Sequence, residues 1–164
     1  MHAGSLSKVL SPGLRVGWLI APSELLAKAT MCKQFSDAHT STFAQATAAA
    51  YLQSGRMPAT LNKVRSVYAQ RAKTMAQCLN QSLGEKISFS QPLGGLFFWA
   101  RLTGANAGPK DGASFAKSAI AQGVAFVPGA PFYANDPDHS TLRLSFATSD
   151  EKLIEEGIAR LSKA

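Results

Sequence analysis

Apolar residues recur along this chain with two periods. Between residues 58 and 83, Leu61, Val64, Tyr68, Ala72, Met75, Leu79 and Leu83 follow at steps of three and four, and so draw one apolar stripe down a long helix. Gly84 is its predicted stop. Pro22-Ser23-Glu24 opens an earlier helix, which runs to about residue 35 with Leu25, Leu26, Ala29 and Cys32 on one face. The alanine-rich residues 43–52 predict another, ended by Ser54-Gly55. Residues 113–122 predict a fourth, stopped by Gly123. The last helix has Leu153, Ile154, Ile158 and Leu161 on its buried face, and Thr148 and Glu151, three apart, read as its capping box.

Strand signals are shorter. Residues 14–21 read as a buried strand, apolar on both faces apart from Arg15. After residue 84 the pattern shifts to short apolar runs at 87–90, 96–102, 124–127 and 142–146, with Gly and Pro between them. Residues 36–42, 104–112 and 128–140 have loop chemistry. Strands alternating with helices make the fold class α/β. Tyr68, Met75, Trp18 and Trp99 read as packing residues rather than contacts for a ligand.

Composition narrows the class. At 164 residues with 46% hydrophobic and 16% charged, the chain can bury a core, which excludes wholesale disorder. No apolar run approaches a membrane span, and the first residues do not read as a signal peptide. Cys32 and Cys78 make no disulfide framework, and His2, His39 and His139 lack metal-ligand spacing, so no metal is expected and a reducing, cytoplasmic setting is. The net charge is +7. Part of it comes from a stretch with no acid between Asp37 and Glu85 that carries Arg56, Lys63, Arg65, Arg71 and Lys73. It has no interleaved aromatics or recognition motif, so it reads as a solvated helix face and not as a nucleic-acid footprint.

The chemistry concentrates near the start, in Gly4-Ser5-Leu6-Ser7-Lys8-Val9-Leu10-Ser11-Pro12-Gly13-Leu14-Arg15-Val16-Gly17. Pro12 fixes its φ and Gly13 tolerates φ > 0, so a reversal is expected there. Such a reversal can gather Ser5, Ser7, Lys8 and Arg15 at one site. Two hydroxyls and a guanidinium suit a phosphate, and a lysine amine beside it suits an aldehyde, with which it condenses to a Schiff base. Taken alone, Lys8 is a solvated surface lysine, Ser5 and Ser7 are turn hydroxyls, and Arg15 caps a strand. Arg143, between Leu142 and Leu144, reads either as half of an internal salt bridge or as a planar fork for a carboxylate. Gly94-Gly95 reads as a tight turn or as a place where backbone approaches a substrate.

Ser-Leu-Ser-Lys followed by Pro-Gly-Leu-Arg-Val-Gly resembles the cofactor-lysine signature of fold-type I pyridoxal-phosphate aminotransferases of class I/II. The nearest likeness is to the branch of 2-aminoadipate and kynurenine aminotransferases and the aminotransferase-like halves of MocR-type regulators. Pro92-Leu93-Gly94-Gly95-Leu96-Phe97-Phe98-Trp99, Gly123-Val124-Ala125-Phe126-Val127-Pro128-Gly129 and Leu142-Arg143-Leu144-Ser145-Phe146-Ala147 resemble three further motifs in the family's order. The resemblance implies that Lys8 is catalytic and holds pyridoxal 5'-phosphate. It implies that Ser5, Ser7 and Arg15 bind the cofactor's phosphate, and that Arg143 clamps the α-carboxylate of the substrate.

It also implies the C-terminal portion of such an enzyme. Residues 1–57 would belong to an incomplete large domain, 58–83 to an interdomain helix and 84–164 to a small α/β domain. The expected function is transamination between an α-amino acid and a 2-oxo acid, in a homodimer, with feeble or no turnover by this chain alone. Two other readings stand beside it: the effector half of a MocR-type regulator, and a non-catalytic remnant. A winged helix-turn-helix upstream would mark the regulator; protease protection only beyond about residue 84 would mark the remnant.

Overall fold

A computed structural model describes residues 1–104 and 111–164. They divide into two compact units, Met1–Lys63 and Val64–Ala164.

In the first unit, β1 (His2–Ser5) and β2 (Gly17–Ile20) form an antiparallel hairpin with Gly4 opposite Trp18. A side chain at Gly4 would run into the Trp18 indole, so only glycine fits under that ring. Helices α1 (Ser23–Asp37) and α2 (Thr42–Gln53) follow, and α3 (Met57–Ser82) begins here. Ser41 caps α2 by accepting from the Ala44 N–H at 3.3 Å.

Three expectations change in this unit. The strand over 14–21 shortens to β2, with Trp18 45% and Ile20 63% exposed rather than buried. The reason is that β2 has one hydrogen-bonded neighbour, and residues 12–15 form a 3₁₀ turn with a left-handed exit. The α1 stripe is not buried: Leu26 and Ala29 are half-covered, while Leu25 and Cys32 are exposed. That helix also continues past residue 35, where Lys33 pairs with Asp37 at 2.9 Å one turn on. The buried hydrophobic residues of this unit are Leu6, Ala44 and Ala48.

The second unit has a fuller core. It contains the rest of α3, then β3 (Ile87–Phe89), β4 (Phe97–Leu102), α4 (Gly112–Ala121), β5 (Val127–Pro128), β6 (Thr141–Ser145) and α5 (Glu151–Leu161). The sheet order is β3-β4-β6-β5, antiparallel throughout. Ala72, Met75, Ala76 and Leu79 of α3, Phe115 and Ala119 of α4, and Ile154, Ile158 and Leu161 of α5 close over Phe98, Ala100, Leu142 and Leu144. Met75 and Tyr68 are packing residues as expected: Met75 is buried, and the Tyr68 ring meets Phe146 edge to face at 6.2 Å.

Side chains alternate across a strand. Leu142 and Leu144 therefore enter the core while Arg143 turns to the opposite face, directly across from Trp99. Asp111 caps α4, accepting from the Ala113 and Ser114 N–H groups.

The sequence misplaces some ends. The cap of α5 is Asp150, accepting from Leu153 N–H at 2.9 Å, and not a Thr148–Glu151 box; Leu153, expected inside, is 56% exposed. The strand over 124–127 shrinks to β5, because the Val124 N–H is spent on Ala119 O at the exit of α4. Within 128–140 a 3₁₀ turn forms at Ala130–Phe132. Most of the expected 104–112 loop lies outside the described residues, and Gly112 already belongs to α4. Among the described residues no helix is long and apolar enough to cross a membrane.

Candidate functional site

The expected reversal exists. The Leu6 N–H donates to Val16 O at 3.0 Å and closes an eleven-residue loop between β1 and β2, while Leu10 N–H donates to Leu6 O at 2.8 Å inside it. Ser5 Oγ accepts from Ser7 N–H at 3.1 Å and donates to Val16 O at 3.5 Å. Ser5, Ser7, Lys8 and Arg15 thus share one hairpin end.

Arg15 differs from expectation. It stands outside the strand, takes φ 55°, is exposed, and donates from Nη1 to Pro12 O at 3.3 Å. Its charge therefore faces water. No Asp or Glu precedes Glu24, and neither Lys8 nor Arg15 pairs with a carboxylate among the described residues. The acid-free loop offers Lys8, Arg15 and serine hydroxyls, donors of the kind a phosphate accepts beside an amine of the kind an aldehyde condenses with.

In the second unit, Arg143 lies on the face of the sheet opposite the core. Its Cζ stands 4.2 Å from the Phe97 ring centroid and 4.6 Å from that of Phe132. Its Nε is buried and has no hydrogen-bond partner. The salt-bridge reading does not hold among the described residues: Arg101, on the same face of β4, pairs with Asp138 at 2.7 Å, whereas Arg143 meets no carboxylate. Hydrogen bonds from the Ser140 hydroxyl and N–H hold the Asp138 carboxyl below the usual range, so it stays ionised beside Arg101.

Trp99 packs among the aromatic side chains of that face. It is 41% exposed, meets Phe132 edge to face at 5.7 Å, and lies 6.0 Å from Tyr133. Sequence reasoning missed Phe97 and Phe132 around Arg143. The signal for Phe97 was its parity with Trp99 on β4, which puts both on one sheet face; Phe132 had none, since it arrives on a turn.

Gly95 takes φ 81°, and no atom stands within 4 Å of where a Cβ would lie on it or on Gly94. That is the requirement of a turn rather than of close approach. The pair borders a cavity of about 410 Å³ with Arg65, Tyr68, Ala72 and Phe146, of which Arg143 is not a lining residue. In the basic stretch, Arg56, Lys63, Arg65 and Lys73 are exposed and Arg71 is half-buried.

The sequence profile described as Aminotransferase class I and II matches residues 1–161. The chain belongs to this family. A 2-aminoadipate transaminase of Thermus thermophilus is 39% identical over 166 residues, which covers 100% of this chain and 40% of that protein. The transcriptional regulator TauR of Rhodobacter capsulatus is 31% identical over 167 residues, covering 100% of this chain and 33% of the regulator.

Among solved aminotransferases, the α-aminoadipate enzyme LysN of Thermus thermophilus, in complex with N-(5'-phosphopyridoxyl)-L-leucine, superposes with a TM-score of 0.87 at 38% identity over 98% of this chain and 40% of its own. The chain thus spans about two fifths of the length of the first relatives it matches. Its fold is that of the fold-type I aminotransferases, as the resemblance implied.

Proposed function

We propose that this chain carries the cofactor lysine and the carboxylate-binding arginine of a pyridoxal-phosphate-dependent aminotransferase that acts on an α-amino acid and a 2-oxo acid. The observation that supports the proposal is the acid-free hairpin end on which Ser5, Ser7, Lys8 and Arg15 all lie. Ser5, Ser7 and Arg15 would bind the phosphate of pyridoxal 5'-phosphate, and Lys8 would hold the cofactor covalently through Nζ. Arg143 would take the substrate's α-carboxylate. Residues 1–57 would then be part of the large domain, 58–83 the interdomain helix and 84–164 the small domain. The family expectation of a homodimer and a cytoplasmic setting goes with this reading.

The bound cofactor supplies an electron sink that makes the substrate's α-proton acidic. The chain's own part is then positional and acid–base. Arg143 fixes the carboxylate, so the Cα–H bond is presented in one orientation. Lys8 Nζ would take the substrate's α-proton as general base and return it as general acid. Arg15 and the two serines would hold the phosphate of the bound cofactor.

Because the chain spans only about two fifths of its relatives, turnover by the chain alone is expected to be feeble or absent. The test therefore reads attachment rather than activity. Purified chain is incubated with pyridoxal 5'-phosphate, reduced with borohydride and mapped by peptide mass. The expected label sits on Lys8, is lost in Lys8→Ala, and falls when pyridoxal without phosphate is used. Label spread evenly over the lysines overturns the assignment.

A second reading, the effector half of a transcriptional regulator, is supported by the likeness to TauR. The coding sequence upstream discriminates: a helix-turn-helix domain ahead of this fold selects the regulator.

A further inference from the structure

We propose that Phe97 and Phe132 are positioning residues that hold the Arg143 guanidinium through their π-faces, so that its terminal nitrogens are left free for a carboxylate. This rests on the reading of Arg143 as the carboxylate clamp and says what makes that clamp work.

An arginine used to recognise an anion faces a conflict. Holding it still with an Asp or Glu neutralises its charge and occupies the donors the ligand needs. Leaving it unheld lets a long side chain wander, and ordering it on binding costs rotamer entropy. Aromatic faces resolve the conflict: they attract the cation without accepting its in-plane N–H bonds.

Arg143 has that arrangement. Phe97 comes from β4, the strand on one side of β6, and Phe132 from the turn that follows β5 on the other. Their centroids stand 4.2 and 4.6 Å from Cζ. Nε is covered and unpartnered, and Nη1 and Nη2 make no hydrogen bond among the described residues. The open donors are therefore the two terminal nitrogens, which fit the two oxygens of one carboxylate. Trp99, edge-on to Phe132 at 5.7 Å, braces the ring that arrives on a turn. The neighbouring Arg101 shows the contrast, since Asp138 has already taken its charge at 2.7 Å.

The test uses the full chain, ¹⁵N-labelled, with the Arg143 Nε–Hε signal assigned by its loss in Arg143→Lys. In the free protein this signal is expected upfield of free arginine and protected from exchange at neutral pH. It should move on titration with sodium pyruvate, and not with methyl pyruvate, which lacks the charge. Phe132→Leu and Phe97→Leu should each weaken pyruvate binding about twofold to fivefold. Phe132→Tyr, which keeps the π-face, should restore it. Circular dichroism identifies a variant that fails to fold, and Phe132, 49% exposed, is the position that tolerates truncation.

Pyruvate binding unchanged in both leucine variants overturns the positioning role while leaving the clamp intact. A protected Arg143 signal that ignores pyruvate overturns the clamp, and the inference with it.

Discussion

Gly129 donates its N–H to the Thr141 carbonyl at 2.7 Å, and a Cβ on Gly129 would stand 2.6 Å from Thr141 Cβ and 2.8 Å from its carbonyl carbon. The φ of Gly129 is −78°, which any residue adopts, so the demand for glycine is steric alone. Gly129→Ala is therefore expected to push the Ala130–Phe132 turn off β6, at a cost of about 1–3 kcal/mol. Phe132 travels with that turn and should lose its place over Arg143. A thermal melt checks the first part, with a fall of several degrees expected, and the Arg143 Nε–Hε shift checks the second. An unchanged melt would mean that β6 yields without strain.

Arg71 is an arginine with a structural task. It reaches from α3 to donate from Nη1 to the carbonyl of Ala147, at the exit of β6, at 2.6 Å. A hydrogen bond from a charged donor to a partly buried carbonyl contributes about 1.5–3 kcal/mol. Arg71→Leu keeps the bulk of the stem and strands the carbonyl, so a loss in that range is expected by urea unfolding, with an unchanged m-value. A loss no larger than that of Lys73→Leu, on the exposed side of the same helix, would assign Arg71 to the solvated face with its neighbours.

How far the residues alone could be read is clear from Arg71 on α3 and Arg143 on β6. The α3 stripe is strongly periodic, and the helix spans Met57–Ser82 where 58–83 was expected. The Pro-Gly pair after Lys8 marks a reversal that forms and the run around Arg143 a strand that forms, because turn and strand spacings are properties of local chain geometry. What periodicity cannot give is which apolar residues find a partner. Leu25 and Ile20 are as apolar as Leu142, yet they are exposed while Leu142 is fully buried. Nor does it give contacts made across turns: Phe132 reaches Arg143 only because Gly129 lets its turn lie against β6. Caps were misplaced by two residues at α5, since Asp150 competes with Thr148 for the same N–H groups and is better placed to accept them.

Asp111 provides a pH dependence with a definite sign. The Ser114 hydroxyl, then the Ala113 and Ser114 N–H groups, hold its carboxyl below the ordinary value, so the folded state favours the ionised form. That stabilisation is complete above the unfolded aspartate value of about 3.9 and is lost as pH falls through the lower folded value. Asp138 is lowered in the same direction by Ser140 and adds to the same acid limb. Melting temperature should therefore decline below about pH 4. Asp111→Asn, which still accepts at the cap but does not titrate, should make that decline shallower, and Asp138→Asn should do so again. Parallel acid limbs for wild type and both variants would show that neither carboxylate drives the change.

The core of the second unit fixes where the chain can be cut. Ala72, Met75, Ala76 and Leu79 of α3, with Leu83 just beyond it, belong to the same cluster as Phe98, Leu142 and Leu161. A fragment of residues 84–164 would leave the apolar face of the sheet without one of its three helices, whereas 64–164 keeps all of them. Truncating even one buried leucine costs about 2–5 kcal/mol, comparable to the whole stability of a small domain. The shorter fragment is therefore expected to lack a cooperative thermal transition and the longer one to retain it. Limited proteolysis of the intact chain should likewise give a protected product that begins upstream of Ala72, inside α3. A stable product beginning near residue 84 would mean that the sheet and the two helices α4 and α5 suffice. The helix stripe would then be an accessory of the domain rather than part of its core.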